Sequence, residues 1–227
     1  MVAETLMPAP PARLLTPPGV YAPQWDTGLL MQALGREDLD DATEVLDLGT
    51  GSGAVAVHAA RLGARVTAVD VSRLAVVTAR VNALLAGRRV RVLRGDLTTA
   101  VAGRSYDLVV SNPPYVPSPV DRLPRRGAAR AWDAGADGRV FVDRICAAAP
   151  TMLRPGGVLL IVHSGLCGTD ETLRRLTERG LSASVAERAV VPYGPVLRSR
   201  RSWLVRQGLV DADDDREELV VVRAVRP

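Results

Sequence analysis

Asn112-Pro113-Pro114-Tyr115 is the stretch of this chain whose residue types most constrain its chemistry. Two consecutive prolines carry no backbone N–H and hold φ fixed, so the segment is stiff and offers carbonyl acceptors. Asn112 adds one side-chain acceptor and two donors, and Tyr115 adds a flat face with a polar tip. Together they form a clamp for a planar –NH2 group, with carbonyls accepting both hydrogens and an aromatic ring lying against the attached π system. Such a set suits transfer of a group to an amide or nucleobase nitrogen. The tetrapeptide follows an apolar run, 106–111, that reads as a buried strand. It therefore falls at a strand end, where open α/β sheets place their ligand crevices.

A second constellation lies upstream. Val45 to Ala54 reads as a strand, a glycine-rich turn and a helix start, with Gly49, Gly51 and Gly53 free to take positive φ and admit a ligand close to the backbone. The N–H groups opening the next helix favour an anionic or carboxylate group. Alone, Gly49-x-Gly51-x-x-Ala54 also satisfies a dinucleotide fingerprint, and Asp70 at the next strand end suits a ribose in either case. Three additions separate the two readings. Asp47, just before the glycines, would pair with a cationic amino group and would repel a pyrophosphate. Asp96-Leu97 follows the third strand, placed for an exocyclic amine, and Asn112 follows the fourth. Taken singly, Asp70 and Asp96 also suit cap positions. Together, a ligand with an ammonium, a ribose and an adenine is S-adenosylmethionine. Cys146 and Cys167 are not in a CxxC pair, and His58 and His163 are the only histidines, so no metal site is expected and both thiols should be buried and reduced. No G-x-S-x-G elbow surrounds His163-Ser164.

The elements that position these residues alternate. Residues 1–26 form a proline-rich segment, extended or irregular, followed by a helix from Thr27 to about Leu34 with Asp26 or Thr27 as N-cap. Strands are expected at 44–48, 65–69, 90–93, 107–111 and 157–162, with helices at 54–62, 72–86, 139–153 and 169–179. Apolar strands separated by such helices imply βαβ units and a mainly parallel sheet covered on both faces. Segments 182–190 and 218–224 read as two more strands that pair antiparallel. Between them, 193–215 is an insertion with a helix at 199–209 and an acidic turn at 211–215. One α/β domain over 27–227 is the expectation.

Bulk properties exclude more than they select. The chain has 227 residues, 47% of them hydrophobic, and a mean hydropathy of +0.09, as a globular domain has. No run reaches the roughly 18 apolar residues of a membrane span, and no secretory leader pattern opens the chain, so a cytoplasmic location is expected. The net charge is +4, and all 29 basic side chains are arginine, as GC-biased codon usage produces. No basic arm or aromatic-interleaved patch accompanies them, which argues against nucleic acid as a direct substrate.

On these residues the chain resembles class I methyltransferases, and more narrowly the HemK/PrmC family of glutamine N5-methyltransferases, in the short form that lacks a separate N-terminal helical domain. Three segments carry the likeness: Val20 to Thr27; Asp47 to Gly53 with Asp70; and Asn112 to Val116 with Ala131 to Arg139. The resemblance implies a Rossmann-like, seven-stranded, mainly parallel sheet with a C-terminal antiparallel pair. It also implies that Thr27, Asp47, Gly49, Asp70, Asp96, Leu97 and Asn112 contact cofactor or substrate, and that the substrate is a protein such as a peptide-chain release factor. Trp25 stands where short members usually carry an acidic residue, and the insertion is absent from the shortest relatives. Short eukaryotic and archaeal members use a small zinc-binding activator subunit, a need these residues do not decide. Three rivals stay open: a small-molecule or natural-product N-methyltransferase, an adenine-N6 nucleic-acid methyltransferase, and a non-catalytic binding module.

Overall fold

A sheet covered on both faces buries both sides of each strand, which is why the strand segments are runs of valine and leucine rather than alternating patterns. In the computed structural model, which describes residues 14–120, 122–124 and 127–227, these runs form β1 (Glu44–Leu48), β2 (Arg65–Asp70), β3 (Val90–Arg94), β4 (Tyr106–Ser111), β5 (Leu153–Ser164), β6 (Ser182–Pro192) and β7 (Arg216–Val225). They make one sheet in the order β3-β2-β1-β4-β5-β7-β6. β1 to β5 run parallel, and β7 slots antiparallel between β5 and β6. The expected antiparallel pairing is present, and β7 makes it on both edges.

Among the described residues, α1 (Trp25–Leu34) precedes the sheet, and α2 (Ala54–Arg61), α3 (Arg73–Leu85), α4 (Val140–Met152), α5 (Thr169–Glu178) and α6 (Pro195–Arg206) connect its strands. Leu29, Leu30 and Leu34 of α1 and Leu159, Leu160 and Ile161 of β5 are fully buried in one continuous core. No helix among the described residues is long and apolar enough to cross a membrane.

The strand order reverses between β1 and β4, which lie side by side with Leu48 opposite Ser111. The Ser111 hydroxyl donates to the Leu48 carbonyl at 2.8 Å. The turn starting at Gly49 and the tetrapeptide starting at Asn112 thus leave the same edge of the sheet as neighbours. This is the switch point of an open α/β sheet, where its crevice opens.

Most boundaries shift by a residue or two from expectation, and three differences bear on the site. α1 starts at Trp25 with Gln24 at the N-cap and no side-chain cap, because the Asp26 carboxylate turns into the protein instead. α6 spans 195–206 rather than 199–209, since Pro195 fits the first helical turn, where its missing N–H is not needed. β5 begins four residues early, across a register shift opposite Tyr106 and Leu108. Residues 1–13 of the expected proline-rich segment lie outside the described residues. The part from Leu14 to Gln24 is irregular, as expected. It is pinned to α3 by Asn82, which accepts from Leu15 N at 2.8 Å and donates to Leu15 O at 2.9 Å.

Candidate functional site

The crevice widens into a cavity of about 1810 Å³, larger than the roughly 300–1,000 Å³ of an ordinary small-ligand pocket. It has room for a cofactor and for part of a second substrate. Thr27, Asp47, Gly49, Gly51, Asp70, Asp96, Leu97, Asn112, Pro113, Pro114 and Tyr115 all line it. Gly53 is the one predicted site residue that does not. It caps α2 at φ 84°, and a Cβ there would sit 3.0 Å from Ala79 of α3. Its bareness serves helix packing.

At one end of the cavity the floor is acidic. Asp47 is buried and accepts a 2.6 Å bond from the Thr50 hydroxyl. Burial lifts its pKa to about 7, opposed by the Thr50 bond and helped by the nearby Asp70 charge. A carboxyl in that state has a strong appetite for a cation. Asp70 is held from behind: Gly51 N donates to one oxygen at 2.9 Å and Ser72 N to the other at 2.8 Å. Each oxygen keeps lone pairs for a hydroxyl, and burial raises this pKa as well. Gly49 and Gly51 take φ of 74° and 54°. Side chains there would project toward the Asn112 carbonyl and Tyr21, into the cradle. Asp96 is more committed. It pairs with Arg144 at 2.8 Å and forms a capping box with Thr99. Its neighbour Leu97 is the only non-glycine residue at positive φ among the described residues, at 48°, a strain of the kind that collects at binding sites.

The other end is built around Asn112. Its Nδ2 donates to the Thr27 hydroxyl at 3.3 Å, and that hydroxyl donates to Asp26 Oδ1 at 3.2 Å. This orients the amide so that Oδ1, to which no described residue donates, is its free acceptor. Asp26 is the residue that sequence reasoning underrated. Its buried carboxylate also accepts from Thr27 N at 2.6 Å, Tyr21 OH at 2.8 Å and Tyr115 OH at 2.9 Å. Both tyrosine pKa values rise well above the ordinary range, through burial first and then the Asp26 charge. Tyr115 is thus fixed at its tip by Asp26. The segment Val20–Thr27 stands out as a unit in the sequence, but nothing local in it tells that Asp26 gathers two tyrosines 5 and 89 residues away. Glu217, at the start of β7, also lines the cavity and was missed as a site residue. Its Oε2 is buried and has no hydrogen-bond partner among the described residues. Burial raises its pKa to about 7, with the Ser164 hydroxyl opposing and Asp26 adding to the rise.

Behind the tetrapeptide, the glycine-rich stretch from Ala131 to Arg139 acts as a buttress. Val116 N donates to Trp132 O at 2.8 Å, Ala134 N to Val116 O at 3.1 Å, and Ser118 N to Gly135 O at 2.9 Å. Gly138, at φ 72°, packs so closely that a Cβ would lie 2.3 Å from the Tyr115 carbonyl. Arg139 is buried and donates to the Gly168 carbonyl at 3.0 Å and to the Cys167 carbonyl. Cys167 in turn donates its thiol to Tyr115 O at 3.1 Å. Cys146 and Cys167 are both free and buried, with pKa values pushed up by burial to about 11 and about 12.

The methyltransferase small domain family matches residues 11–122. A protein of Methanocaldococcus jannaschii that carries the name N5-glutamine methyltransferase is 34% identical over 177 residues, 78% of this chain and 88% of that protein. The release factor glutamine methyltransferase of Bordetella pertussis is 44% identical over 64% of this chain and 57% of its own length. The protein of that name from Mycolicibacterium smegmatis is 35% identical over 78% of this chain and 66% of its own length. The chain thus spans little more than half to two thirds of these two bacterial enzymes. Among solved structures, a chain of the E. cuniculi Mtq2–Trm112 complex, responsible for methylating the eRF1 translation termination factor, superposes with a TM-score of 0.63 at 26% identity. The superposition covers 92% of this chain and 99% of that one. A Thermus thermophilus 16S rRNA methyltransferase structure with AdoMet and guanosine shares the fold at a TM-score of 0.58 and 22% identity, over 91% of this chain and 44% of that one.

Proposed function

The chain belongs to the protein N5-glutamine methyltransferase family, and on that premise we propose that it methylates the side-chain amide of a glutamine in a protein. A translation release factor is the substrate to test first. The observation that carries the reading is the free Asn112 Oδ1, held by the Thr27–Asp26 relay beside an acid-floored cradle.

The donor set of the cradle fits S-adenosylmethionine. Asp47, buried with no cationic side chain beside it among the described residues, would take the ammonium; Asp70, braced by two backbone N–H groups, would take the ribose diol; Leu97 and the stem of Asp96 would flank the adenine. When bound, that cofactor supplies an electrophilic methyl group. The remaining work belongs to the protein. An amide nitrogen is a poor nucleophile because its lone pair is delocalised into the carbonyl. Asn112 Oδ1 and the Pro113 carbonyl accept its two hydrogens, turn the lone pair outward and stabilise the positive charge that grows on nitrogen. Preorganised acceptors of this kind contribute about 3 kcal/mol each, and holding the partners in place contributes more. No base is required before attack, because the N–H becomes acidic only as the new bond forms. The proline pair keeps the acceptors stiff, and Tyr115, tied to Asp26, walls the site.

The test is transfer of labelled methyl from the cofactor into a panel: a release-factor fragment bearing Gly-Gly-Gln, single- and double-stranded oligonucleotides, and small-molecule extract. Mass spectrometry then locates the mark. Label on the glutamine amide, abolished in Asn112→Ala while cofactor binding survives, is the expected result. Label only in oligonucleotides or small molecules would overturn the assignment of the acceptor. Because the E. cuniculi chain is described in a two-protein complex, the panel is run with and without a Trm112-type subunit.

A further inference from the structure

Three arginines stand close together on α6, and the structure uses each differently. Arg201 donates to the Ala212 carbonyl, closing the insertion on itself. Arg198 is exposed at the cavity mouth. Arg200 reaches out of the insertion. Its Nη1 donates to the Pro117 carbonyl at 2.8 Å and its Nη2 to Asp133 Oδ1 at 2.6 Å. The side chains of this pair are only 17% and 9% exposed. A planar guanidinium can serve two acceptors in one fixed geometry, which an ammonium cannot.

Both acceptors lie on the segments that hold Asn112. Pro117 comes two residues after Tyr115, and Asp133 belongs to the buttress whose backbone is bonded to Val116. The insertion is itself a cavity wall, since Tyr193, Gly194, Val196 and Arg198 line it. Its base is closed by Tyr193 N donating to Asp215 O at 2.8 Å, and Leu197 and Leu204 bury the inner face of α6. A wall with a hydrophobic anchor on one side and a charged strut on the other moves with the loop to which the strut is tied.

We infer that the 193–215 insertion forms a wall of the acceptor site, and that Arg200 is a positioning residue locking this wall to the loop carrying Asn112. The acceptor amide then meets Asn112 Oδ1 at a set spacing. This inference rests, for its kinetic arm, on the methyl-transfer reading above. Among the described residues, the Ser118 hydroxyl at 3.4 Å is the other side-chain partner of Asp133, and no other donor reaches the Pro117 carbonyl. Loss of the guanidinium therefore loosens both ends of the clamp.

The experiment compares Arg200→Met, which keeps most of the apolar stem, with Arg200→Lys, Asp133→Asn and the Arg200→Met/Asp133→Asn double variant in the full chain. In Arg200→Met, kcat should fall about 10- to 100-fold, the scale on which small misplacements act. Cofactor affinity, measured by calorimetry without acceptor, should stay within about twofold of the wild type. Amide hydrogen exchange at Val116 and Ser118 should speed up about tenfold or more, because these N–H groups report the loop directly. Arg200→Lys should recover part of the loss by keeping one of the two bonds. The double variant should be no worse than Arg200→Met, since both changes open one clamp. Wild-type kcat in Arg200→Met, unchanged exchange at Val116 and Ser118, or an equal loss of cofactor affinity would each overturn the inference. Should Arg200→Met not fold, Arg200→Lys carries the same comparison. The exchange arm needs no acceptor, so a panel that fails to be methylated by the wild type sinks the functional reading while the clamp is still decided.

Discussion

Gly138→Ala is the smallest change that should move the candidate catalytic loop without touching a residue that faces the cavity. Gly138 has φ 72°, and a Cβ there would stand 2.3 Å from the Tyr115 carbonyl, 3.0 Å from Cys167 Sγ and 3.2 Å from Pro117 Cδ. The left-handed backbone alone costs an alanine about 1–2 kcal/mol. Relieving the contact with Tyr115 O means shifting one backbone by about 1 Å, and overpacking of that kind costs a further ~1–3 kcal/mol. The carbonyl that must give way already accepts the Cys167 thiol and lies three residues from Asn112. The sum, ~2–5 kcal/mol, corresponds to a drop in Tm of about 4–20 °C for a domain of this size. A 1 Å displacement beside the acceptor should lower kcat by about 100-fold. Gly180→Ala, in the turn after α5 and away from the cavity, is the matched control, since it shares a positive φ of 82° but has no described residue within 4 Å of its Cβ. It should lose only the backbone cost and keep its kcat. Thermal unfolding and steady-state kinetics on the two variants separate the terms. A Gly138→Ala protein with wild-type kcat would refute the view that the buttress sets the loop; losses matching those of Gly180→Ala would reduce the effect to backbone conformation.

Other expectations follow from the acids. Asp47 and Glu217 have folded pKa values of about 7, above their ordinary values of 3.8 and 4.5, so the folded chain binds their protons more tightly than the unfolded one. The contribution of these two acids to stability should be fully present below those ordinary values and be lost as pH rises through about 7. Asp47→Asn should flatten the fall, which unfolding curves across the neutral range will show. Cofactor affinity should run the opposite way: an ammonium needs Asp47 ionised, so binding rises by up to about tenfold per pH unit below 7 and levels above it. A flat calorimetric profile would contradict the assignment of Asp47. Asp26→Asn keeps the shape of the carboxylate but removes the charge that accepts from Tyr21, Tyr115 and Thr27. Hydrogen bonds to a charged group contribute ~1.5–3 kcal/mol each, so a clear loss of Tm is expected together with a fall in kcat at unchanged cofactor affinity. Tight retention of kcat would show that Asn112 is oriented without the relay.

The two halves of the site differ in how they are encoded, and this explains what could be read from the chain alone. The cofactor half is local. Asp47, Gly49, Gly51, Asp70 and Leu97 each lie within three residues of the C-terminal end of a strand, so once the strands are recognised from their apolar runs the residues fall into one crevice. Even there, spacing misleads in places. Gly53 belongs to the same glycine run as Gly49 and Gly51 but is needed where α2 crosses Ala79, and the Asp96 carboxylate spends itself on Arg144 and Thr99. The acceptor half is assembled from segments that are remote in sequence. Asp26 offered a plausible helix cap, and only the fold brings Tyr115 to it across 89 residues. Glu217 falls just outside the strand expected at 218–224, and only the entry of β7 antiparallel between β5 and β6 puts its first residues at the cavity edge of the sheet. Arg200 was one arginine of three on a helix face, and its partners at Pro117 and Asp133 lie 83 and 67 residues away. A donor bound by strand-end residues is legible because strand ends are. An acceptor gripped between α1, the β4 loop, its buttress and an insertion is legible only after the sheet has been ordered. Substitutions that retune the acceptor should therefore cluster at 21–27, 131–139, 193–200 and 217, and leave the residues after β1 and β2 alone.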